Sequence, residues 1–113
     1  MPGKHKTVRL GELAADTRAF EKLEPMIHVR GRLGIISVLA AVESLRFTEL
    51  RDVLGLTDGN LAAHLRALDA AGYVNIVKRG AGKPITFLTL TAKGRAAFAR
   101  YLQGLEHIVK RHR

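Results

Sequence analysis

The spacing of the apolar residues changes at Gly72, and this change limits the folds that the chain can adopt. Before Gly72, three leucines recur at steps of four and three residues, which is the spacing of one face of an α-helix. They are Leu61, Leu65 and Leu68. After Gly72, segments 73–77 and 85–90 are rich in β-branched and aromatic residues and predict two strands, joined by a basic turn over 79–84. We therefore expect a mainly helical α+β fold that carries one small β-hairpin.

Two further apolar stripes predict helices before this unit. The first runs over 10–23 and ends before Pro25, because the residue that precedes a proline disfavours helix. The second runs over 29–42 and is wide enough for a central helix that is packed on several sides. Gly31 and Gly34 are expected to weaken the first turns of this helix by roughly 1 kcal/mol each relative to alanine.

Capping residues indicate where the other helices begin and end. Thr48 is expected to be the N-cap of a short helix, and Gly55 supplies the left-handed conformation that ends it. Thr57 is expected to cap the leucine-bearing helix, and Thr91 to cap a last helix with a long apolar stripe. Two short helices separated by a tight turn are the sequence pattern of a helix-turn-helix.

The length and the charge of the chain indicate its broad class. Its 113 residues, of which 47% are hydrophobic, suffice for one modest core. We divide it into an N-terminal arm and helix over 1–24, a central unit over 25–91 and a C-terminal helix over 92–113. The formal net charge is +9, and the last of these segments is the most basic, with six basic residues and one acidic residue. Such a surface attracts polyanions, either nucleic acid or an anionic membrane.

Several classes of protein are not expected from this sequence. The absence of cysteine removes disulfides, zinc–thiolate sites and thiol catalysis. His107 and His112 are five positions apart, which turns them about 140° from each other on a helix, so we expect no metal and no cofactor. We find no grouping of catalytic residue types and expect no enzyme. Arg30 and Arg32 interrupt the longest apolar stretch, so we expect no membrane-spanning segment and place the protein in the cytoplasm.

Six short motifs occur in a fixed order between residues 28 and 98. They are 28–30 (HVR), 47–50 (FTEL), 55–61 (GLTDGNL), 64–68 (HLRAL), 71–74 (AGYV) and 90–95 (LTAKGR). In these motifs the chain resembles the winged helix-turn-helix regulators of bacteria and archaea, in particular the MarR and ArsR types. The resemblance implies a winged helix fold in which the hairpin is the wing. It also implies binding to double-stranded DNA as a homodimer, commonly to repress transcription in the prokaryotic cytosol.

The leucine-bearing helix has an outward face that could enter the major groove of DNA. With the leucines turned inward, that face holds Gly59, Asn60, Ala63, Arg66 and Ala67. Asn60 can pair with adenine, Arg66 can reach guanine or phosphate, and Ala63 can touch a thymine methyl. Gly59 lets the backbone approach the DNA closely, and His64 lies on the flank of this face. Thr57 could direct backbone N–H groups at a phosphate.

Other basic and polar residues are candidates for contacts to the DNA backbone. They are Arg46, Thr48, Arg51, Arg79 and Lys83. Arg79 and Lys83 would lie at the hairpin tip, beside the backbone or in the minor groove, whereas Arg46 and Arg51 flank the short helix that crosses the backbone in this motif. Asp58 is expected to offset the helix dipole and to be repelled by phosphate. The resembled family often has Ser and Arg where this chain has Ala62 and Ala63, so DNA shape and the wing would carry more of the recognition.

The terminal helices are expected to form the interface of the homodimer, because the last apolar stripe extends beyond what the central unit needs as cover. The expected interface residues are Leu10, Leu13, Phe20, Phe98, Tyr101, Leu102, Leu105, Ile108 and Val109. The alternative is that both terminal helices fold back on their own subunit.

Two other functions are compatible with the same pattern. The outward helix and the hairpin could bind an acidic protein, which would make the chain a winged-helix interaction module. The basic surface could also bind nucleic acid without sequence preference, as a chromatin-like or RNA-binding protein. The sequence identifies neither an operator nor a small-molecule effector.

Overall fold

The computed structural model describes residues 23–27 and 29–111. Within them lie four helices and one three-stranded antiparallel sheet, which confirms the expected mainly helical fold with a β-hairpin. The elements in chain order are α1 (Arg30–Ala40), β1 (Leu45–Arg46), α2 (Phe47–Leu54), α3 (Asp58–Ala70), β2 (Val74–Arg79), β3 (Ile85–Leu90) and α4 (Ala92–Arg111).

The core forms around α1, which contacts α2, α3, β3 and α4. Ile35, Ile36 and Leu39 of this helix are almost fully buried. The three leucines of α3 are buried as well, as their spacing predicts. Burial of each such side chain stabilises the fold by roughly 1.5–3 kcal/mol, so these leucines fix which side of α3 faces the protein.

Most of the predicted helix boundaries are confirmed by hydrogen bonds. The Thr57 hydroxyl accepts a hydrogen bond from the backbone N–H of Asn60 at 3.1 Å and caps α3. Gly55 ends α2 in the left-handed conformation, with φ of 65°. The Thr91 hydroxyl accepts from the N–H of Gly94 at 2.9 Å at the start of α4.

The prediction of Thr48 as the cap of α2 is wrong, because the helix begins at Phe47, two residues earlier than a cap at Thr48 would give. Arg46 occupies the N-cap position in an extended conformation, since it also belongs to β1 and pairs with Phe87 of β3. The Glu49 carboxylate accepts a hydrogen bond from the backbone N–H of Arg46 at 3.0 Å. The strand therefore continues directly into the helix, and Thr48 lies within its first turn.

The sheet has the strand order β1-β3-β2. Strands β2 and β3 form the predicted hairpin, and their register runs from Val74 opposite Leu90 to Arg79 opposite Ile85. Gly80 and Gly82 in the turn both have positive φ. Strand β1 was not expected from the sequence, because two residues are too few to show an alternating pattern.

The described residues before α1 pack against the chain itself. Leu23 and Ile27 are buried, and Leu23 lies so close to Gly104 that a Cβ at this glycine would come within 2.7 Å of its Cδ2 atom. The rest of the predicted helix over 10–23 lies outside the described residues, together with Leu10, Leu13 and Phe20.

Helix α4 has one apolar face that belongs to the core of its own chain. Tyr101 and Ile108, both expected at a dimer interface, are only 3% and 7% exposed. Their side chains have little surface left for a second subunit. Leu102 and Val109 of the same helix are instead 47% and 53% exposed. Among residues 23–27 and 29–111, no helix is both long and apolar enough to cross a membrane.

Candidate nucleic-acid interface

Helix α3 presents a row of small and polar residues to solvent. The exposed residues on this side are Gly59, Asn60, Ala63 and Arg66, whereas Ala67 is half-buried. A Cβ at Gly59 would meet nothing within 4 Å, so the backbone of the first turn is open to approach. The buried leucines on the opposite side leave this row as the free face of the helix.

His64 lies on the flank of α3 and faces α1. Its ring is so close to Gly31 that a Cβ there would come within 2.5 Å of the His64 Nε2 atom. Gly34, one turn further along α1, lies close to the side chain of Leu54. The two glycines therefore allow α1 to approach its neighbours, which explains why this helix contains two weak helix formers in its first turns. His64 lies one turn after Asn60, between the exposed side of α3 and its buried leucines, and its ring is half-buried.

A cleft of about 400 Å³ lies between α3 and the hairpin. Its lining consists of Phe47, Ala62, Leu65, Arg66, Ile76, Lys78 and Thr86. The floor is apolar, and two cationic side chains, Arg66 from α3 and Lys78 from β2, contribute to the walls. Lys78 was not expected at this site from the sequence. Its position two residues after Ile76 could have indicated it, because alternate residues of a strand share one face.

The two basic residues expected at the hairpin tip occupy different positions. Arg79 is the last residue of β2, and its guanidinium lies 5.8 Å from the centre of the Phe87 ring. It therefore lies on the face of the hairpin opposite to Lys78. Lys83 lies in the turn and is exposed. The hairpin thus carries one positive charge towards α3, one on its other face and one at its tip.

Arg46 and Thr48 lie beside the base of the hairpin. They line a shallow cleft together with Phe47, Pro84, Ile85 and Thr86, and both are exposed. The pairing of β1 with β3 creates this neighbourhood, because it joins the start of α2 to the hairpin. These two candidate residues are therefore brought close to the wing.

Arg51 is engaged by two carboxylates. Its Nε atom lies 2.8 Å from Oδ1 of Asp52, and its Nη1 atom lies 2.9 Å from Oδ1 of Asp58. The hydrogen bonds to Asp52 and then to Asp58 hold the pKa of the Arg51 guanidinium above its usual range. Arg51 was expected to contact phosphate, but it already has two acidic partners within the chain.

A metal-binding cluster is absent from the part of the chain that the structure describes. No three histidine or acidic side chains are grouped there in a way that could hold an ion. His107 is exposed on α4, whereas His28 and His112 lie outside the described residues.

Comparison with known proteins gives a family and a relative. Residues 31–109 match the family described as winged helix DNA-binding domain. An uncharacterised protein of Methanocaldococcus jannaschii, MJ0432, is 36% identical to the chain over 80 residues, which cover 70% of this chain and 87% of that protein. The matched region contains the hairpin and all four helices, apart from the first residue of α1 and the last two residues of α4.

Solved structures of transcriptional regulators share the fold. The transcriptional regulator homologue of Pyrococcus horikoshii OT3 is similar with a TM-score of 0.73 and 29% identity, and the match covers 89% of this chain and 96% of that one. A MarR-family regulator of Enterococcus faecalis V583, 23% identical, has a TM-score of 0.66 and covers 96% and 93%. The repressor CouR, solved on a 23-mer DNA duplex and 24% identical, has a TM-score of 0.65 and covers 89% and 80%. These likenesses confirm the resemblance to MarR-type regulators at the level of the fold.

Proposed function

Because the chain belongs to the family of winged helix DNA-binding domains, we propose that it is a homodimeric transcription regulator that binds double-stranded DNA and represses transcription. One observation supports this proposal more strongly than the other observations do. The free face of α3, with Asn60 and Arg66, lies next to a cleft whose other wall is the basic hairpin. A helix and a hairpin side by side can occupy the major groove and the adjacent backbone at the same time.

In this proposal the first two turns of α3 carry the contacts to the bases. Asn60 donates to and accepts from the edge of adenine, Arg66 reaches guanine or a phosphate, and Ala63 contacts a thymine methyl. The capping bond from Asn60 to Thr57 holds the first turn in place, so its free N–H groups point towards the backbone of the DNA. The sequence preference then arises from few side chains, and the shape of the DNA contributes the rest.

The hairpin and the start of α2 position the protein on the phosphates. Lys78 faces α3 across the cleft, Lys83 extends from the turn, and Arg46 and Thr48 lie at the base of the wing. Contacts of this kind supply affinity that depends strongly on salt and little on sequence. The net charge of +9 favours the same interaction at longer range.

The second apolar stripe of α4 supports the homodimer. It consists of Phe98, Leu102, Leu105 and Val109, at steps of four, three and four residues. This spacing is that of a seam between two helices, and it lies roughly 100° around α4 from the buried stripe of Tyr101 and Ile108. Pairing of the two seams would bury Leu102 and Val109 and would place two α3 helices on one face of a duplex, about one helical turn apart.

The proposed function also predicts where in the cell the protein acts and that it acts by binding alone. A regulator of transcription acts where the genome lies, which in a prokaryote is the cytoplasm. Its interactions are non-covalent, so the proposal assigns it no catalytic residue and no enzymatic activity.

Binding to a fluorescent duplex at increasing salt tests the proposal. We expect binding at about 50 mM NaCl and a steep loss of affinity towards about 200 mM, because each neutralised phosphate adds about 0.9 to the slope of log affinity against log salt. Fluorescence anisotropy measures both quantities. Absence of binding at low salt, or affinity that does not change with salt, would contradict the proposal.

A winged-helix protein-interaction module is the second candidate. The exposed apolar residues Val77 and Ile85 lie on the hairpin face that points away from the cleft with α3, and they favour a protein partner over DNA. The two functions differ in their response to Arg66→Ala and Lys83→Ala. Duplex affinity that both variants leave unchanged would favour the interaction module, whereas a loss of duplex affinity in both supports DNA binding.

A further inference from the structure

Arg51 links α2 to the first turn of α3. One of its nitrogens is paired with Asp52, its neighbour on α2, and another is paired with Asp58, the first residue of α3. The Arg51 side chain is 31% exposed, whereas those of Asp52 and Asp58 are 70% and 71% exposed. The arginine thus lies between two carboxylates that face solvent.

This group of three side chains has a formal charge of −1 in a strongly basic protein. It is located at the N-terminal end of α3, where the exposed residues Gly59 and Asn60 begin the free face of the helix. Recognition helices contact base edges with their N-terminal residues, close to the phosphates of the groove edge. A negative group at this place opposes the approach of phosphate, whereas a free Arg51 would favour it.

We propose that Asp58 limits the sequence-independent affinity of the protein for DNA, because it keeps Arg51 from the DNA backbone and places a negative charge beside the phosphates. The inference rests on the proposed function and extends it. Phosphate contacts supply nearly all sequence-independent affinity, whereas base contacts from Asn60 and Arg66 supply the discrimination. Loss of one phosphate contact therefore lowers the affinity for every duplex by a similar factor and leaves base recognition intact.

The variant Asp58→Asn tests the inference with a random-sequence duplex as the probe. We expect the affinity of this variant for the duplex to rise about fivefold at low salt, which corresponds to one exposed ion pair. We also expect its salt slope to steepen by about 0.9, because the Nη1 atom of Arg51, no longer paired with Asp58, can contact one phosphate. Circular dichroism and thermal unfolding establish that the variant is folded.

Asp69→Asn is the matched control. Asp69 is exposed on the same helix, and the substitution removes the same charge eleven positions away, about 16 Å along the axis. We expect this variant to bind the random duplex with less than twofold change. Equal tightening in both variants would overturn the inference, since it would reflect net charge alone.

The double variant Arg51→Gln/Asp58→Asn isolates the role of the arginine. We expect it to lose the steeper salt slope of Asp58→Asn. A slope that stays steep without Arg51, or an affinity of Asp58→Asn at or below that of the wild type, would overturn the inference. If the wild-type protein bound no duplex at all, the proposed function would fail instead, so the two failures are distinguishable.

Discussion

Gly94 lies directly against the backbone carbonyl of Tyr73, at the place where α4 leaves the sheet. Thr91 holds this junction together. Its N–H donates to the Tyr73 carbonyl at 3.0 Å, and its hydroxyl donates to the Gly72 carbonyl at 2.7 Å while accepting from the N–H of Gly94. The end of α3, the hairpin and the start of α4 therefore meet in one hydrogen-bonded joint that has no room for a side chain at Gly94.

Gly94→Ala should destabilise the protein by about 2 kcal/mol, because the added methyl group collides with a backbone carbonyl and with Leu90. Urea unfolding measures the effect. Gly59→Ala is the matched control, since a Cβ there meets nothing within 4 Å, and we expect it to be neutral or stabilising by up to about 1 kcal/mol. Equal stability of the two variants would show that the contact at Gly94 is not tight.

The contact between Gly31 and His64 predicts coupling between α1 and α3. Gly31→Ala alone should give no net stabilisation, because the gain in helix propensity is offset by displacement of the His64 ring. In the His64→Ala background the same change should stabilise the protein by up to about 1 kcal/mol. Unfolding free energies of the wild type, the two single variants and the double variant give the coupling energy. A coupling energy of zero would contradict this arrangement.

Two exposed residues of α4, Leu102 and Val109, predict how the proposed homodimer can be separated. Leu102→Asp/Val109→Asp should shift the protein to monomer and leave its helix content unchanged, because both residues are already exposed in the single chain. Sedimentation equilibrium measures the mass. Val53→Asp is the matched control, since Val53 is 67% exposed on α2, and it should leave the mass unchanged. A double variant that remains dimeric would assign the interface to another surface.

Lys78, which was not expected from the sequence, should contribute to DNA binding. Lys78→Ala should lower the duplex affinity several-fold and reduce the salt slope by about 0.9, because one phosphate contact is lost. Lys93→Ala is the control, since Lys93 lies beside the Tyr73 ring at the start of α4 and not in the cleft. Titrations of both variants at several salt concentrations provide the comparison, and identical slopes would remove Lys78 from the interface.

Local features of the fold could be predicted from the sequence. The caps at Thr57 and Thr91, the left-handed Gly55 and the inward leucines of α3 each depend on residues within a few positions of one another. Such short-range preferences are visible in the sequence itself.

Features that join distant parts of the chain could not be predicted in the same way. Strand β1 forms because Arg46 pairs with Phe87, the His64 ring lies where Gly31 leaves space, and Asp58 pairs with Arg51 across the turn. Each of these depends on how two elements pack, which no local pattern encodes. The last pairing affects the site most, because Arg51 was expected to contact phosphate and is instead paired with two carboxylates.

The central claim is that the free face of α3 contacts DNA, and two charge-matched variants test it directly. Arg66→Ala and Arg100→Ala each remove one exposed positive charge, but Arg66 lies on α3 and Arg100 lies on α4. Anisotropy titrations of a labelled duplex with both variants should show a loss of at least about tenfold for Arg66→Ala, from the lost groove contact, and less than twofold for Arg100→Ala. Equal losses in the two variants, or the larger loss in Arg100→Ala, would contradict the account.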